Sequence, residues 1–222
     1  MPITTVSDRV TRIDGRIPVM LRTILGHPII KPLKRLAKDA WWRHKGRSIF
    51  NPPMPSGARS VLFVCLGNIC RSPFAEAIAT RRVQGGSGSI RFNSAGLKTK
   101  QAAEPPLDAR RAAATFGVSL NRHRPRSLTR ELVVSHDVIV VMEPGHRDHI
   151  CATYPEAADR VLLLALFDEN ATGLERYIIA DPFGMAASVY QECYQRIERA
   201  LNVLLPAIGV EPTLESPRRR AC

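Results

Sequence analysis

Four short apolar runs follow one another after residue 58, and segments of mixed polarity separate them. The runs span residues 61–64, 90–92, 138–142 and 161–166. Their length and composition predict buried strands. Helices are predicted at 73–83, 108–116 and 146–153, with a short turn near 128–134, and a last helix with an apolar stripe at 188–205. Strands that alternate with helices pair in parallel, so the sequence predicts an α/β fold: a doubly wound, four-stranded parallel sheet flanked by helices.

Residues 1–58 lack this alternation and end in a segment rich in Pro and Gly. We therefore expect a basic N-terminal extension with its linker at 1–58, a folded domain at 59–208 and a C-terminal tail at 209–222. Within the extension, apolar residues recur at helical spacing among lysines and arginines; they are Leu33, Leu36, Ala37, Ala40 and Trp41. A basic amphipathic helix of this kind can lie on an anionic membrane surface.

Other interpretations of the extension stay open at this point. The same pattern suits a helix folded back on the domain or a tail that does not pack. It also suits an upstream translation whose natural start is Met54, just before the domain.

The net charge of +12 is concentrated at the N-terminus. Residues 1–58 carry +8, residues 59–210 carry +3 and residues 211–222 carry +1. The folded domain is nearly balanced, so we expect no nucleic-acid partner. No apolar run reaches the roughly 18 residues of a membrane-spanning helix, and charges within the first 20 residues argue against a signal peptide. We expect a cytoplasmic protein, peripheral at the membrane if the extension binds lipid.

The loop after the first strand carries the strongest chemical signal. It reads Cys-Leu-Gly-Asn-Ile-Cys-Arg-Ser from residue 65 to residue 72, and Pro73 and a helix follow. Ser72 is predicted to cap that helix, whose free N–H groups and dipole attract an anion. Gly67 is expected to take the backbone conformation of a tight anion cradle, and Arg71 adds a bidentate grip on phosphate oxygens.

These groups surround Cys65 and favour its thiolate form, which predicts a sulfur nucleophile facing a bound oxyanion. The same Cys-x5-Arg spacing recurs at Cys193 and Arg199, but inside a long helix with no preceding strand or glycine. The five cysteines are odd in number and lack the paired spacing of zinc ligands. The sequence therefore predicts a reactive thiol, with no metal or cofactor.

Segment 61–76 resembles the signature of the low-molecular-weight protein tyrosine phosphatases nearly residue for residue. The resemblance covers about residues 60–205; its further matches are 93–96, His123, 126–129, Met142-Glu143 and Asp181-Pro182. It implies hydrolysis of protein phosphotyrosine through a phosphocysteine intermediate. Cys65 would be the nucleophile, Arg71 the phosphate binder and Asp181 the general acid and base.

Spacing alone does not decide which residue is the general acid, and the resemblance favours Asp181. The candidates are Asp148, Asp159, Asp168 and Asp181. It also implies a network that fixes the loop and the thiolate, made of Asn68, Ser72, Ser94 and His123. Substrate would be held by the loop residues Leu66, Gly67, Asn68, Ile69 and Cys70, together with Phe183. Among these, Leu66, Ile69 and Phe183 are candidates for flat apolar walls around a tyrosine ring.

Cys70 invites two interpretations: a reversible disulfide with Cys65, or a small buried side chain. Phe183-Gly184 stands where animal members of the family have two tyrosines, so the chain is more similar to bacterial members. Some of those are linked to capsule and exopolysaccharide export. This resemblance implies a tyrosine-phosphorylated protein as partner, such as a kinase of polysaccharide export.

Three other functions are compatible with parts of the sequence. An arsenate reductase would need closely spaced downstream cysteines, whereas Cys151 and Cys193 stand 42 residues apart. An arginine phosphatase of the same family usually has Thr at the place of Ile69, so Ile favours tyrosine phosphate. A membrane- or nucleic-acid-binding adaptor would not need Cys65, Arg71 and Asp181 together.

Overall fold

The structure, a computed structural model, describes residues 57–83, 90–100 and 102–210. The proposed basic helix at 31–47, the start at Met54 and the tail beyond residue 210 lie outside these residues. None of the described helices is long and apolar enough to cross a membrane.

Four parallel strands form the centre of the domain, as predicted. They are β1 (Ser60–Cys65), β2 (Arg91–Gly96), β3 (Val138–Val141) and β4 (Val161–Leu163), in the spatial order β2-β1-β3-β4. In the register, Phe63 of β1 lies between Ser94 of β2 and Val140 of β3. Every residue of β1 is buried, because this strand has a neighbour on both sides.

Among the described residues, five α-helices flank the sheet. They are α1 (Arg71–Val83), α2 (Leu107–Thr115), α3 (Arg130–Val134), α4 (Pro144–Thr153) and α5 (Ala187–Ala207). Short 3-10 helices cover Pro155–Arg160, Leu164–Phe167 and Gly173–Tyr177. Helix α1 packs on β1, β2 and α5, and α4 packs on β3 and β4. The ring of Phe74 on α1 stacks on Tyr194 of α5, with centroids 3.8 Å apart.

Two strand boundaries differ from the prediction by three residues or more, each for a physical reason. Strand β2 continues through Asn93 and Ser94, beyond the apolar run that ends at Phe92, because the backbone pairs with β1 whatever the side chains are. Strand β4 ends at Leu163, three residues early. Leu164 is fully buried but lies in a 3-10 turn, and an apolar run alone does not distinguish a buried turn from a strand.

The strand order places one loop at a special position. The chain leaves β1 to form β2 on one side of it, and then passes back to form β3 on the other side. The carboxyl end of β1 is therefore the point where the direction of winding reverses, and open α/β sheets bind their ligands at such points. The loop from residue 66 to residue 70 occupies this point.

Candidate active site

The thiol of Cys65 lies at the carboxyl end of β1, nearly buried and facing the start of α1. Its Sγ accepts a hydrogen bond from the backbone N–H of Asn68 at 3.3 Å and lies 3.0 Å from Ser72 Oγ. A loop of amides that ends in a helix N-terminus attracts negative charge, whether on sulfur or on a bound oxyanion. The structure thus brings Cys65 and Ser72 together, as predicted.

The predicted cap was wrong. Helix α1 begins at Arg71, so Ser72 lies inside the first turn and does not cap it. Its hydroxyl points into the loop, where it accepts a hydrogen bond from Asn68 Nδ2 at 2.9 Å and lies 3.3 Å from the carbonyl oxygen of Ala95. Ser72 therefore supports the thiol and its loop.

Asn68 is the centre of the supporting network. It is fully buried, and its side chain donates to Ser94 Oγ at 2.8 Å and accepts from the Arg126 N–H at 2.8 Å. Its carbonyl oxygen accepts a hydrogen bond from His123 Nε2 at 2.8 Å. Burial lowers the pKa of His123, so a neutral ring with its proton on Nε2 makes this contact. All four predicted network residues thus meet around one loop.

The backbone conformation predicted for Gly67 falls on its neighbour. Asn68 has a φ of 54°, in the left-handed region, whereas Gly67 does not have a positive φ. Asn tolerates this region better than most residues, and here its hydrogen bonds on both sides hold it there. The glycine that the loop needs is Gly96, where an added Cβ would lie 2.9 Å from both Asn68 N and Leu66 O.

Arg71 is almost completely buried beneath the loop. Its Nη1 donates to the carboxylate of Glu143 and to the carbonyl oxygen of Ile179 at 3.0 Å, and its Nη2 lies 2.7 Å from Asp181 Oδ2. No described residue accepts a hydrogen bond from its Nε–H. Burial alone would lower the pKa of Arg71, but the negative charges of Cys65, Asp181 and Glu143 raise it. The guanidinium is a fixed cation whose Nε–H is left for an oxyanion, while the Asp181 carboxylate occupies Nη2.

Three residues near this network had no role in the sequence prediction. Glu143, at the carboxyl end of β3, binds Arg71, and its Oε1 lies 3.8 Å from His146 Nε2. Burial and the charge of Arg71 lower the pKa of His146 to about 4, so this contact is not an ion pair at neutral pH. Glu76 accepts a hydrogen bond from Ser94 Oγ at 2.6 Å. The signal for Glu143 was a carboxylate directly after a buried strand.

Three large apolar side chains are exposed on the segments that carry Cys65 and Asp181. Leu66 is 41% exposed, Phe183 is 61% exposed, and Met185, which the sequence prediction did not include, is 58% exposed. Ile69 is half-buried in the loop. The described residues contain no group of three His, Cys, Asp or Glu side chains able to hold a metal ion.

Cys70 is buried in the same loop. Cys65 and Cys70 are both free thiols, and burial raises the pKa of Cys70 well above its usual range. A protonated, buried thiol reacts slowly, so any disulfide would begin with oxidation at Cys65. The reversible Cys65–Cys70 disulfide stays a prediction.

The four candidate acids occupy different places. Asp181 contacts Arg71, and Asp148 is exposed on α4. Asp159 lies in the 3-10 helix that precedes the amino end of β4, whereas the loop lies at the carboxyl end of β1. The side chain of Asp168 is fully buried between two arginines, with contacts of 3.1 Å from Arg196 Nε and 3.0 Å from Arg199 Nε.

Asp168→Asn is expected to lower the free energy of unfolding at neutral pH by about 3 kcal/mol, because it leaves buried guanidinium charge unpaired. Burial raises the pKa of Asp168, but hydrogen bonds from Arg199 and Arg196 outweigh it, so the pKa lies below its usual value. The contribution is therefore present above the ordinary carboxyl pKa and is lost as pH falls through the depressed one. Urea unfolding at several pH values measures it, with exposed Asp159→Asn as control. A catalytic defect in stable Asp168→Asn would contradict this structural role.

Comparison with known proteins identifies similar chains. The model of the family described as low molecular weight phosphotyrosine protein phosphatase matches residues 60–214. The low molecular weight protein-tyrosine-phosphatase Etp of Escherichia coli K12 is 35% identical over 143 residues, 64% of this chain and 88% of that protein. A protein-arginine-phosphatase of Geobacillus stearothermophilus is 30% identical over 151 residues, 68% of this chain and 97% of that protein. The crystal structure of the Erwinia amylovora tyrosine phosphatase AmsI matches with a TM-score of 0.61 at 29% identity, covering 68% of this chain and 93% of that one.

Proposed function

The chain belongs to the low molecular weight phosphotyrosine protein phosphatase family, and from this premise we propose that it hydrolyses protein phosphotyrosine with Cys65 as nucleophile. The observation that carries the proposal is the buried guanidinium of Arg71, whose Nε–H has no acceptor among the described residues, within the loop that holds the Cys65 thiol. A phosphate group fits this edge because its oxygens match the planar guanidinium.

In the first step the Cys65 thiolate attacks phosphorus. The Sγ–P bond forms while the bond from phosphorus to the tyrosine oxygen breaks, and the loop amides and Arg71 stabilise the equatorial oxygens. Asp181, once displaced from Arg71 and protonated from solvent, gives this proton to the departing tyrosine oxygen, which makes tyrosine a better leaving group. A phosphate that takes the Nη2 edge of Arg71 would displace the Asp181 carboxylate from it, so acid and phosphate exchange places at one cation.

In the second step water attacks the phosphocysteine. Asp181, now a carboxylate, accepts a proton from that water as the O–P bond forms. The Sγ–P bond breaks, orthophosphate leaves and the Cys65 thiolate is restored. Ser72 and the Asn68 N–H hold the sulfur through both steps, since each lies within hydrogen-bond distance of Sγ.

The apolar side chains near the loop favour tyrosine over arginine as the leaving group. Leu66 directly follows Cys65, and Phe183 lies two residues after Asp181; both are apolar and exposed, which suits contact with a flat aromatic ring. Ile69 in the loop likewise lacks the hydroxyl expected of an arginine phosphatase. A relative at 30% identity is named as an arginine phosphatase, so phosphoarginine is the second candidate substrate.

The deciding experiment measures orthophosphate release from peptides of one sequence that carry phosphotyrosine, phosphoarginine or phosphoserine, with a metal chelator present throughout. We expect phosphotyrosine to give the highest kcat/KM. Preference for phosphoarginine would keep the Cys65 mechanism and change the substrate, whereas hydrolysis of phosphoserine alone would contradict the proposal. A phosphorylated kinase of polysaccharide export is the whole-protein substrate that we propose to test next.

A further inference from the structure

The excess positive charge of the folded domain is confined to two loops. Residues 59–210 contain 18 Lys and Arg residues against 15 Asp and Glu residues. Five of these cations and one acid, Glu104, lie in residues 97–104 and 121–127, so elsewhere 13 cations face 14 acids. We call the cluster the basic rim; its members are Lys98, Lys100, Arg122, Arg124 and Arg126. All five are exposed.

Two hydrogen bonds donated by backbone N–H groups attach the basic rim directly to the loop that holds Cys65. The Lys98 N–H donates to the carbonyl oxygen of Leu66 at 2.8 Å, and the Arg126 N–H donates to Asn68 Oδ1 at 2.8 Å. The two rim loops are also joined to each other, because Thr99 and Ser127 share a hydrogen bond between their hydroxyls. These contacts fix the backbone of the rim beside the phosphate-binding loop.

Most of the rim charge is not neutralised by the domain itself. Arg124 lies 3.5 Å from Glu104 and Arg126 lies 3.8 Å from Glu76, and both pairs are open to solvent on the arginine side. Lys98, Lys100 and Arg122 form no ion pair with any residue of the described part of the chain. Such exposed cations beside a binding site attract an anionic partner.

We propose that the basic rim binds an acidic segment of the substrate protein next to the phosphorylated residue. The proposal rests on the proposed function and adds a sequence preference to it. An extended peptide rises about 3.3 Å per residue, so once its phosphate lies on the loop, its neighbouring residues fall within reach of Lys98 and Arg122. A peptide suits this position better than a lipid surface or a nucleic acid, because the apolar edge formed by Leu66 adjoins the rim and fits an aromatic side chain.

The test compares two phosphotyrosine peptides that differ only in having Glu or Gln at the positions flanking the tyrosine. For the full chain at low salt we expect kcat/KM to be about threefold to tenfold higher for the Glu peptide, the size of two or three exposed charge pairs. The preference should lie in KM, and it should disappear in about 0.5 M salt because the charges are screened.

The double variant Lys98→Gln/Arg122→Gln should lose this preference while keeping its kcat on a small aryl phosphate. Its matched control is Arg59→Gln/Arg91→Gln, which removes the same charge at the amino ends of β1 and β2, far from the loop. The control should keep the preference. Equal kcat/KM for the two peptides, or equal loss in both variants, would overturn the proposal.

Two further readouts separate the other outcomes. The first readout is binding of anionic vesicles or RNA. If only the rim variant loses this binding, and the unmodified chain shows no preference between the peptides, the surface belongs to that partner and the proposal is overturned. Failure of the unmodified chain to hydrolyse the small aryl phosphate at all would instead contradict the proposed function, which makes the two failures distinguishable.

Discussion

Cys65→Ser is expected to reduce turnover of aryl phosphates by roughly 10⁴-fold or more, because a serine hydroxyl remains protonated at neutral pH and is a weak nucleophile without an adjacent base. Neither contact of Cys65 Sγ supplies that base, since one partner is the Asn68 N–H and the other the Ser72 hydroxyl. Orthophosphate binding should persist, because the amides of the loop and the guanidinium of Arg71 are unchanged. Titration calorimetry with orthophosphate measures this separately from turnover.

The chain offers a matched control in Cys193→Ser. Cys193 has the same spacing to Arg199 as Cys65 has to Arg71, and it is also buried. Its thiol contacts the carbonyl oxygen of Ala180 at 3.6 Å, and burial raises its pKa to about 12. Turnover in this variant should stay near that of the unmodified chain. Substantial turnover in Cys65→Ser, or its loss only in Cys193→Ser, would reject Cys65 as the nucleophile.

Asp181→Asn is expected to lower kcat by about 10²-fold to 10⁴-fold on phosphotyrosine, the usual contribution of a general acid. Asn keeps the shape of the side chain and can still contact Arg71 through its oxygen, so the loss reports on the proton. The loss should be much smaller for aryl phosphates whose leaving group is already a weak base, since these depart without a proton. A series of substituted aryl phosphates measures this dependence.

The controls for Asp181 are the other acids that spacing left open. Asp148→Asn and Asp159→Asn change exposed carboxylates that do not lie at the loop, and both should leave kcat and its dependence on the leaving group unchanged. An equal loss for activated and unactivated substrates in Asp181→Asn would reassign the acid. The next residue to test would then be Glu143, whose carboxylate also binds Arg71.

The sequence predicted the parts of the site that are local in the chain. A buried strand, a short loop and a helix start follow one another within residues 60–83, and this order alone places Cys65 and Arg71 at one end of a sheet. The parallel pairing of the four strands also followed from their alternation with helices. The helix cap failed because Ser72 could satisfy either a helix terminus or the loop, and only the folded loop decides between them.

The sequence alone could not predict contacts between residues on different strands of the sheet. Glu143 meets Arg71 over 72 residues of chain, and the positions of both depend on how β3 packs beside β1. The cradle conformation is expected at Gly67 because glycine has the freest backbone. The left-handed residue is instead Asn68, and the bonds that hold it there come from residues 94, 123 and 126. A conformation fixed by distant partners leaves no mark in the local sequence.

In the unliganded site, Asp181 of the chain itself is bound to the cation Arg71. A carboxylate of the enzyme sits on the cation that a phosphate would use, 2.7 Å from its Nη2. Binding of phosphate is then an exchange of one anion for another, and its free energy is the difference between two attractions of similar kind. The same exchange runs backwards at the end of the cycle, when orthophosphate leaves and Asp181, after losing to solvent the proton it took from water, returns to Arg71. An internal competitor of this kind lowers the affinity of the site for every phosphate group, and it therefore favours the release of orthophosphate.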